Sequence, residues 1–230
     1  FPALLVTLLV GAVCGALNGL VISKVKISPM VTTLATMYLY LGLARGISKG
    51  SSVYSYELST FMGTYKLFGI PIQIYILVVL AVLFVYLLHK TSWGRKIYAI
   101  GLNPNASQYA GIHTNKIIMQ IYTMIGVICA LAGLIFLGRF TSVKYDAGTN
   151  FNLNVITIVV LGGTSINGGI GNMKGTVLAT LIIATLNSGL TVLNIPIDVQ
   201  TIVQGVVLMI ALIAYAIVNE RNKKRRVLEV

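Results

Sequence analysis

The chain has 230 residues, of which 57% are hydrophobic and only 10% are charged, and its formal net charge is +12. Soluble domains carry about 25% charged residues, so much of this surface does not face water. The basic residues stand in short stretches between apolar runs, which follows the positive-inside rule and argues against a nucleic-acid partner. We therefore expect an all-α, polytopic transmembrane helical bundle in a lipid bilayer.

Seven apolar segments predict about seven spans, since a spanning helix needs about 20 mostly apolar residues. In chain order they are residues 1–22, 30–44, 70–88, 117–137, 151–166, 176–193 and 202–218. The segments 30–44 and 151–166 are short, and we expect them either to cross only in part or to borrow flanking residues. Residues 1–230 are predicted to form a single transmembrane domain. Because Phe1 stands within an apolar stretch, we expect part of the protein to precede it.

Loop charges predict the orientation of the chain. The loop 91–116 and the tail 219–230 are rich in Lys and Arg, so both are predicted to be cytoplasmic, as is the C-terminus. Two loops on one side require an even number of crossings between them, which makes 151–166 a predicted crossing. Residues 45–69 and 138–150 then lie outside. An apolar patch at Leu58, Phe61 and Met62 is expected at the outer interface.

The predicted spans carry no charged residue at their centres, which argues against proton-coupled pumping and voltage sensing. Common catalytic and phosphate-binding motifs are absent from the sequence. His89 and His113 lie in the basic loop, and Cys14 and Cys129 stand alone in apolar runs. We therefore predict no catalytic residue, no metal site and no cofactor, and we expect the energy for uphill transport to come from outside these helices.

Uncharged polar side chains remain in the apolar segments. Amides and hydroxyls can bind a neutral, hydroxyl-rich solute without the desolvation cost of a charge. The alternative is that they hydrogen-bond one helix to another. The residues that we select as the lining of a substrate path are Asn18, Thr33, Asn154 and Asn187.

A glycine-rich stretch between residues 161 and 175 cannot hold a regular helix, because each glycine costs about 1 kcal/mol relative to alanine. No strand precedes it and Lys174 is the only nearby cation, so a phosphate-binding loop is disfavoured. We predict a tight structural turn between two closely packed helices, near the cytoplasmic side. Its glycines are Gly162, Gly163, Gly168, Gly169, Gly171 and Gly175.

The cytoplasmic loop 91–116 contains the signals of a short helix of about two turns. Asn103 is a candidate N-cap, Pro104 suits the first helical position, and Gly111 is a candidate stop. Such a helix can insert into a groove of a partner, with Tyr109 and Ile112 as apolar anchors. A solvated connector is the alternative.

The runs Gly94-Arg95, Gly101-Leu102-Asn103 and Gly111-Ile112, together with Val160-Leu161-Gly162-Gly163-Thr164-Ser165, resemble a known family. They are similar to the permeases of bacterial ABC importers for ribose, galactosides and autoinducer-2, of the branched-chain amino acid type. Leu88-His89-Lys90-Thr91 is most similar to autoinducer-2 import permeases. The resemblance covers essentially the whole chain.

The resemblance implies a permease subunit of an ATP-driven importer in the bacterial plasma (inner) membrane, moving a neutral sugar or sugar-like solute. It implies cytoplasmic ABC ATPase subunits, a second permease subunit in a homo- or heterodimer, and an extracytoplasmic solute-binding protein. It also implies further helices before Phe1. The residues that it assigns to ATPase coupling are Asn103, Asn105, Ala106, Gln108, Tyr109, Gly111 and Ile112.

The coupling segment departs from the family at Asn105-Ala106-Ser107, where the family often carries Glu-Ala-Ala. Two other classes of protein remain open on the residues alone. One is a self-sufficient secondary transporter or channel for a small neutral solute, and the other is a membrane enzyme.

Overall fold

The structure is a computed structural model that describes residues 2–54, 65–140, 142–149, 151–165 and 168–228. For residues 2, 197 and 214–228 it describes the backbone alone. The predicted interfacial patch at Leu58, Phe61 and Met62 lies outside the described residues, as do Phe1 and Ile166, which were predicted to be the first residue of one span and the last of another.

Within these residues the chain forms nine α-helices. They are α1 (Pro2–Leu20, continued by a π-helical turn at Val21–Val25), α2 (Pro29–Ser48), α3 (Ile72–Lys90), α4 (Ser92–Leu102), α5 (Pro104–Tyr109), α6 (Thr114–Phe140), α7 (Phe151–Leu161), α8 (Met173–Val192) and α9 (Ile197–Leu228). Four short strands accompany them: β1 (Val53–Tyr54), β2 (Lys66–Leu67), β3 (Ile70–Pro71) and β4 (Ser142–Val143).

The helical membrane fold predicted from composition is confirmed. Four helices of the described chain are long and apolar enough to cross a membrane: Ala3–Val25, Ile72–Lys90, Thr114–Phe140 and Met173–Val192. Large apolar side chains along them are exposed, as at Leu77, Leu178 and Ile182, which suits contact with lipid. The chain is therefore a multi-pass membrane protein, whereas the number of seven spans stays a prediction.

One predicted span is wrong in its bounds. Helix α7 ends at Leu161, so the segment 151–166 is not one helix. Its 11 residues give about 16 Å of helix, roughly half of a 30 Å hydrocarbon core. The helix ends because Gly163 adopts a positive φ of 84°, and the amides of Gly163 and Thr164 bond back to the carbonyls of Val160 and Val159.

Other helices are longer than predicted, α2 and α9 among them. Helix α2 extends to Ser48 and ends with Lys49 in the left-handed conformation. Helix α9 begins at Ile197, next to Pro196, and runs without a break to Leu228. The basic tail predicted at residues 219–230 is therefore a continuation of this helix as far as Leu228.

The chain divides into two compact units. Unit 1 comprises Phe1–Leu80 and Asn105–Ala147, and unit 2 comprises Ala81–Pro104 and Gly148–Val230. The single domain predicted for residues 1–230 stays a prediction.

In unit 1, α1 packs along α6 through glycines spaced four residues apart. Gly11, Gly15 and Gly19 lie on one face of α1 because residues i and i+4 are neighbours on a helix. A Cβ on Gly15 would lie 2.3 Å from the carbonyl oxygen of Tyr122, and one on Gly19 would lie 2.9 Å from the Cα of Met119. Small residues at this spacing let two membrane helices approach backbone to backbone.

The two segments predicted to lie outside meet in unit 1. Strand β1, which follows α2, pairs antiparallel with β4, which follows α6. The guanidinium of Arg45 lies 5.6 Å from the ring centroid of Tyr145, close enough for a cation–π contact. The ends of α2 and α6 therefore share one end of this unit, as the predicted topology requires.

Candidate solute cavity and coupling surface

A cavity of about 430 Å3 opens among α1, α2 and α6 in unit 1. Its wall is built from small, apolar and uncharged polar side chains. The residues that line it are Thr7, Val10, Gly11, Cys14, Gly15, Asn18, Thr33, Tyr40, Tyr122, Ile125, Gly126, Cys129 and Ala130. Two of the four residues predicted to line a substrate path, Asn18 and Thr33, thus meet in one cavity.

Asn18 contributes a buried polar atom without a partner to this wall. Its side chain is half-buried, and its Oδ1 is buried with no hydrogen bond to the described residues. Leaving a buried carbonyl unpaired costs about 1–3 kcal/mol. The amide torsion of asparagine is soft, so this oxygen can turn toward the cavity when a donor enters it.

Two other polar side chains of the wall donate hydrogen bonds to backbone carbonyls. The hydroxyl of Thr33 donates to the carbonyl of Pro29 at 2.9 Å, and its oxygen keeps the capacity to accept a hydrogen bond. The hydroxyl of Tyr40 donates to the carbonyl of Cys14 at 3.0 Å, which ties α2 to α1 at the cavity. The wall therefore presents fixed acceptors and aromatic surface without any charge.

Several lining residues were not predicted from the sequence. Tyr40, Tyr122 and Cys129 carry no local signal for a cavity, because their place depends on which helix faces meet. The approach of α1 to α6 did have a signal, the spacing Gly11-xxx-Gly15-xxx-Gly19, which is typical of closely packed membrane helices.

The two other predicted path residues lie in unit 2. Asn187 of α8 accepts a hydrogen bond from Gln204 of α9, with 3.1 Å between Oδ1 and Nε2. This is the helix-to-helix bond that the sequence left open as the alternative. Asn154 of α7 instead has a buried Oδ1 with no partner among the described residues. Their part in a substrate path stays a prediction.

The loop 91–116 contains two helices rather than one. Helix α4 is capped by Thr91, whose hydroxyl oxygen accepts from the amide of Gly94 at 3.2 Å. Trp93, Ile97 and Ile100 recur at the spacing of one helix face, and this signal for α4 was missed. Arg95, on the opposite face, and Lys96, at the edge of the apolar face, are both exposed.

Helix α5 begins at Pro104 and stops before Gly111, as the sequence predicts. Gly111 has a φ of 80°, and the amides of Gly111 and Ile112 bond to the carbonyls of Gln108 and Ser107. These two bonds form a Schellman motif, in which the left-handed residue is most often glycine. Asn103 precedes Pro104 in extended backbone, which the following proline favours.

Most of the residues assigned to ATPase coupling lie on α5 or directly after it, in unit 1, and their role stays a prediction. Ser107 marks the buried face of α5. Tyr109, in contrast, is 92% exposed, and Ile112 is half-buried. The remaining members, Asn103, Asn105, Ala106, Gln108 and Gly111, are all exposed. Residues Gln108 and Gly111 to Lys116 also line a pocket of about 440 Å3.

The glycine-rich stretch joins α7 to α8 in unit 2. A Cβ on Gly175 would lie 2.2 Å from the carbonyl oxygen of Gly162, so the two helix ends touch through backbone atoms. Helix α8 is capped by Asn172, whose Oδ1 accepts from the amide of Lys174 at 3.1 Å. Gly168 and Gly169 both have positive φ, and Gly171 accepts a hydrogen bond from Tyr98 of α4.

Comparison with known proteins shows which family this chain belongs to. Residues 1–212 match the family model described as branched-chain amino acid transport system / permease component. The chain is 40% identical over 200 residues to the ribose import permease protein RbsC of Bacillus subtilis (strain 168), covering 85% of this chain and 62% of that protein. No solved structure matches this chain significantly.

Other relatives are named for a different solute. The chain is 32% identical over 228 residues to the autoinducer 2 import system permease protein LsrD of Escherichia coli (strain K12) and, to the same degree, to that of Shigella flexneri. These matches cover 96% of this chain and 69% of each relative. The chain therefore spans between three fifths and seven tenths of the length of these relatives.

Proposed function

Because the chain belongs to the branched-chain amino acid transport system permease family, we propose that it is the membrane-spanning permease subunit of an ATP-driven ABC importer in the bacterial inner membrane. The solute is a neutral sugar or sugar-like molecule such as ribose, a galactoside or autoinducer-2. The relatives are import permeases for ribose and for autoinducer 2, which favours this function over a self-sufficient transporter, a channel or a membrane enzyme.

The observation that carries the proposal is the uncharged cavity among α1, α2 and α6. Its volume of about 430 Å3 falls in the range of about 300–1,000 Å3 that small-molecule sites occupy. Every described residue of its wall is uncharged, which disfavours an ionic solute. A sugar hydroxyl can donate to the unpartnered Oδ1 of Asn18 and thereby remove the cost of leaving that oxygen unpaired.

We propose one partner for the loop 91–116 and another for the β1–β4 end. The loop 91–116 contains basic residues but no Asp or Glu, and its α5 surface displays Tyr109. This combination suits a groove on a cytoplasmic ATPase subunit that has an apolar floor and an acidic rim. The β1–β4 end would face a solute-binding protein outside, a second permease subunit would complete the pore, and the C-terminus would be cytoplasmic.

Uptake measurements test the function directly. Cells that carry or lack the full-length gene are given labelled ribose, galactose or autoinducer-2. We expect ATP-dependent uptake of one of these solutes only in cells that carry the gene. The proposal fails if uptake is the same in both, or if the purified full-length protein moves a solute against its gradient with no ATPase present.

Cross-linking tests the partner. In a full-length background where Cys14 and Cys129 are replaced by alanine, we expect Asn105→Cys to trap an ATPase subunit in membranes. Val192→Cys is the matched control, because Val192 is 79% exposed but lies at the end of α8 that is far from the glycine-rich stretch. Equal trapping by the two variants, or none at Asn105→Cys while transport is intact, contradicts docking at α5.

A further inference from the structure

Two motifs that are separated by about 60 residues in the sequence meet in unit 2. The first is the C-terminal half of α4, and the second is the glycine turn, which we define as the described residues 162–165 and 168–175. The phenol hydroxyl of Tyr98 donates a hydrogen bond to the carbonyl of Gly171, with 3.1 Å between the oxygens. Tyr98 is half-buried, so this bond is partly shielded from water.

The end of α4 also touches the turn through backbone atoms. A Cβ on Gly101 would lie 2.5 Å from the amide nitrogen of Gly169, and one on Gly168 would lie 2.9 Å from the carbonyl oxygen of Gly101. A Cβ on Gly169 would meet the Cδ2 of Leu102 at 2.6 Å. Real Cβ atoms do not approach backbone atoms this closely, so the contacts at Gly101 and Gly168 require glycine, whereas the Leu102 side chain could move away from a Cβ on residue 169.

Close contacts at glycine positions also occur between α7 and α8 and between α3 and α4. Beyond the turn, Gly162 and Gly175 hold the ends of α7 and α8 together, since a Cβ on Gly162 would lie 2.6 Å from the Cα of Thr176. At the other end of α4, a Cβ on Gly94 would lie 2.2 Å from the carbonyl oxygen of Leu88, so α4 is folded tightly against the end of α3. The helix is therefore held at both ends by contacts that leave no space for a side chain.

We propose that α4 and the glycine turn form the link that carries movement of the ATPase to α7 and α8. This inference rests on the proposed function, in which the ATPase docks at α5. Helix α5 joins α4 through the single residue Asn103, in extended backbone. A displacement of α5 reaches α4 through that connection, and the backbone contacts at Gly101 pass it to the turn because close-packed atoms compress little.

Tyr98 and Gly101 are positioning residues under this proposal. Neither belongs to the exposed surface proposed to meet the ATPase: Tyr98 and Gly101 are half-buried and face the turn. Substituting Tyr98 or Gly101 should therefore affect only one of two properties, ATPase binding and solute-stimulated hydrolysis, whereas substituting a docking residue would affect both. The ATPase should still bind, but its hydrolysis should no longer respond to solute.

The test uses the full importer, purified with its ATPase and solute-binding protein. For Gly101→Ala, we expect the solute-stimulated rate of ATP hydrolysis and transport to fall about 5- to 150-fold, the usual range for energetic coupling between two sites. For Tyr98→Phe, which removes one hydroxyl and keeps the ring, we expect about a two- to ten-fold fall, as for one lost hydrogen bond. Co-purification of the ATPase should be unchanged in both variants.

Two control variants match these changes. Tyr86→Phe removes a phenol hydroxyl from a residue of α3 that is 61% exposed, and Gly189→Ala adds a Cβ in α8 where no atom lies within 4 Å. Both should behave as wild type. Should Gly101→Ala prevent folding, Tyr98→Phe still decides the matter.

The possible outcomes distinguish failure of this inference from failure of the proposed function. Wild-type protein that neither binds an ATPase nor needs one overturns both. Wild-type ATP dependence together with normal stimulation in Tyr98→Phe overturns the link alone. Loss of ATPase co-purification in Tyr98→Phe also overturns the link, because it would make α4 part of the docking surface.

Discussion

The carbonyl oxygen of Gly126 lies only 2.5 Å from the position that a Cβ on Gly11 would occupy, so α1 and α6 meet without side chains between them. This approach fixes one wall of the cavity, because Gly11, Gly15 and Gly126 all line it. The width of the cavity therefore depends on the absence of three Cβ atoms.

Gly126→Ala should destabilise the protein. Its Cβ would lie 2.1 Å from the carbonyl oxygen of Gly11, and overpacking of this kind costs about 1–3 kcal/mol of unfolding free energy. The measurement is detergent-titrated or thermal unfolding of the full-length protein. Gly133→Ala is the control in the same helix, where no atom lies within 4 Å and alanine gains up to about 1 kcal/mol of helix propensity. Equal effects of the two variants would contradict the α1–α6 contact.

Asn18→Leu should lower transport without lowering the stability of the protein. Removing a buried amide whose Oδ1 has no partner relieves a penalty of about 1–3 kcal/mol, so the unfolding free energy should stay constant or rise. Transport should fall, because the solute loses its acceptor. Unfolding curves and uptake of labelled solute are compared in the same preparations. A stable variant with wild-type uptake removes Asn18 from the path.

Asn187→Leu should have the opposite effect on stability, because it leaves Gln204 without the partner to which its Nε2 now donates. A double-mutant cycle with Gln204→Leu should give a coupling energy of about 0.6 kcal/mol, and at most about 1.7, as for other hydrogen bonds between membrane helices. The cycle is measured by unfolding each of the four proteins. Strictly additive effects would show that this bond contributes nothing to stability.

Gly111→Ala should loosen the end of α5. Gly111 has a φ of 80°, and a left-handed conformation costs an ordinary L-residue about 1–2 kcal/mol. Gly111→Asn should cost less, because asparagine tolerates this conformation. Hydrogen exchange of the amides of Ala110, Gly111 and Ile112 reports the change. We expect protection to decrease in the order Gly, Asn, Ala, and the reverse order for Asn and Ala would contradict the motif.

Features that depend on one or two neighbouring residues could be predicted from the sequence. Pro104 and Gly111 gave the bounds of α5, since each acts on its own φ and on the adjacent hydrogen bonds. The end of α7 was misplaced because hydropathy alone extended the segment across Gly162 and Gly163, where the backbone turns.

Features that depend on which helix faces meet could not be predicted in the same way. Asn18 and Asn187 look alike in the sequence, as amides within apolar runs. The first is unpartnered at a cavity wall, whereas the second bonds to Gln204. The contact of Gly101 with Gly169 likewise joins two motifs that the sequence shows only as separate, because nothing local relates one turn to a distant helix.

The placement of the thiols has a practical consequence. Cys14 and Cys129 are the two cysteines of the chain, and both line the cavity. Alkylation of these two sulfhydryls by a small maleimide therefore monitors entry into this chamber. Protection by the transported molecule would identify it among a panel of candidate sugars.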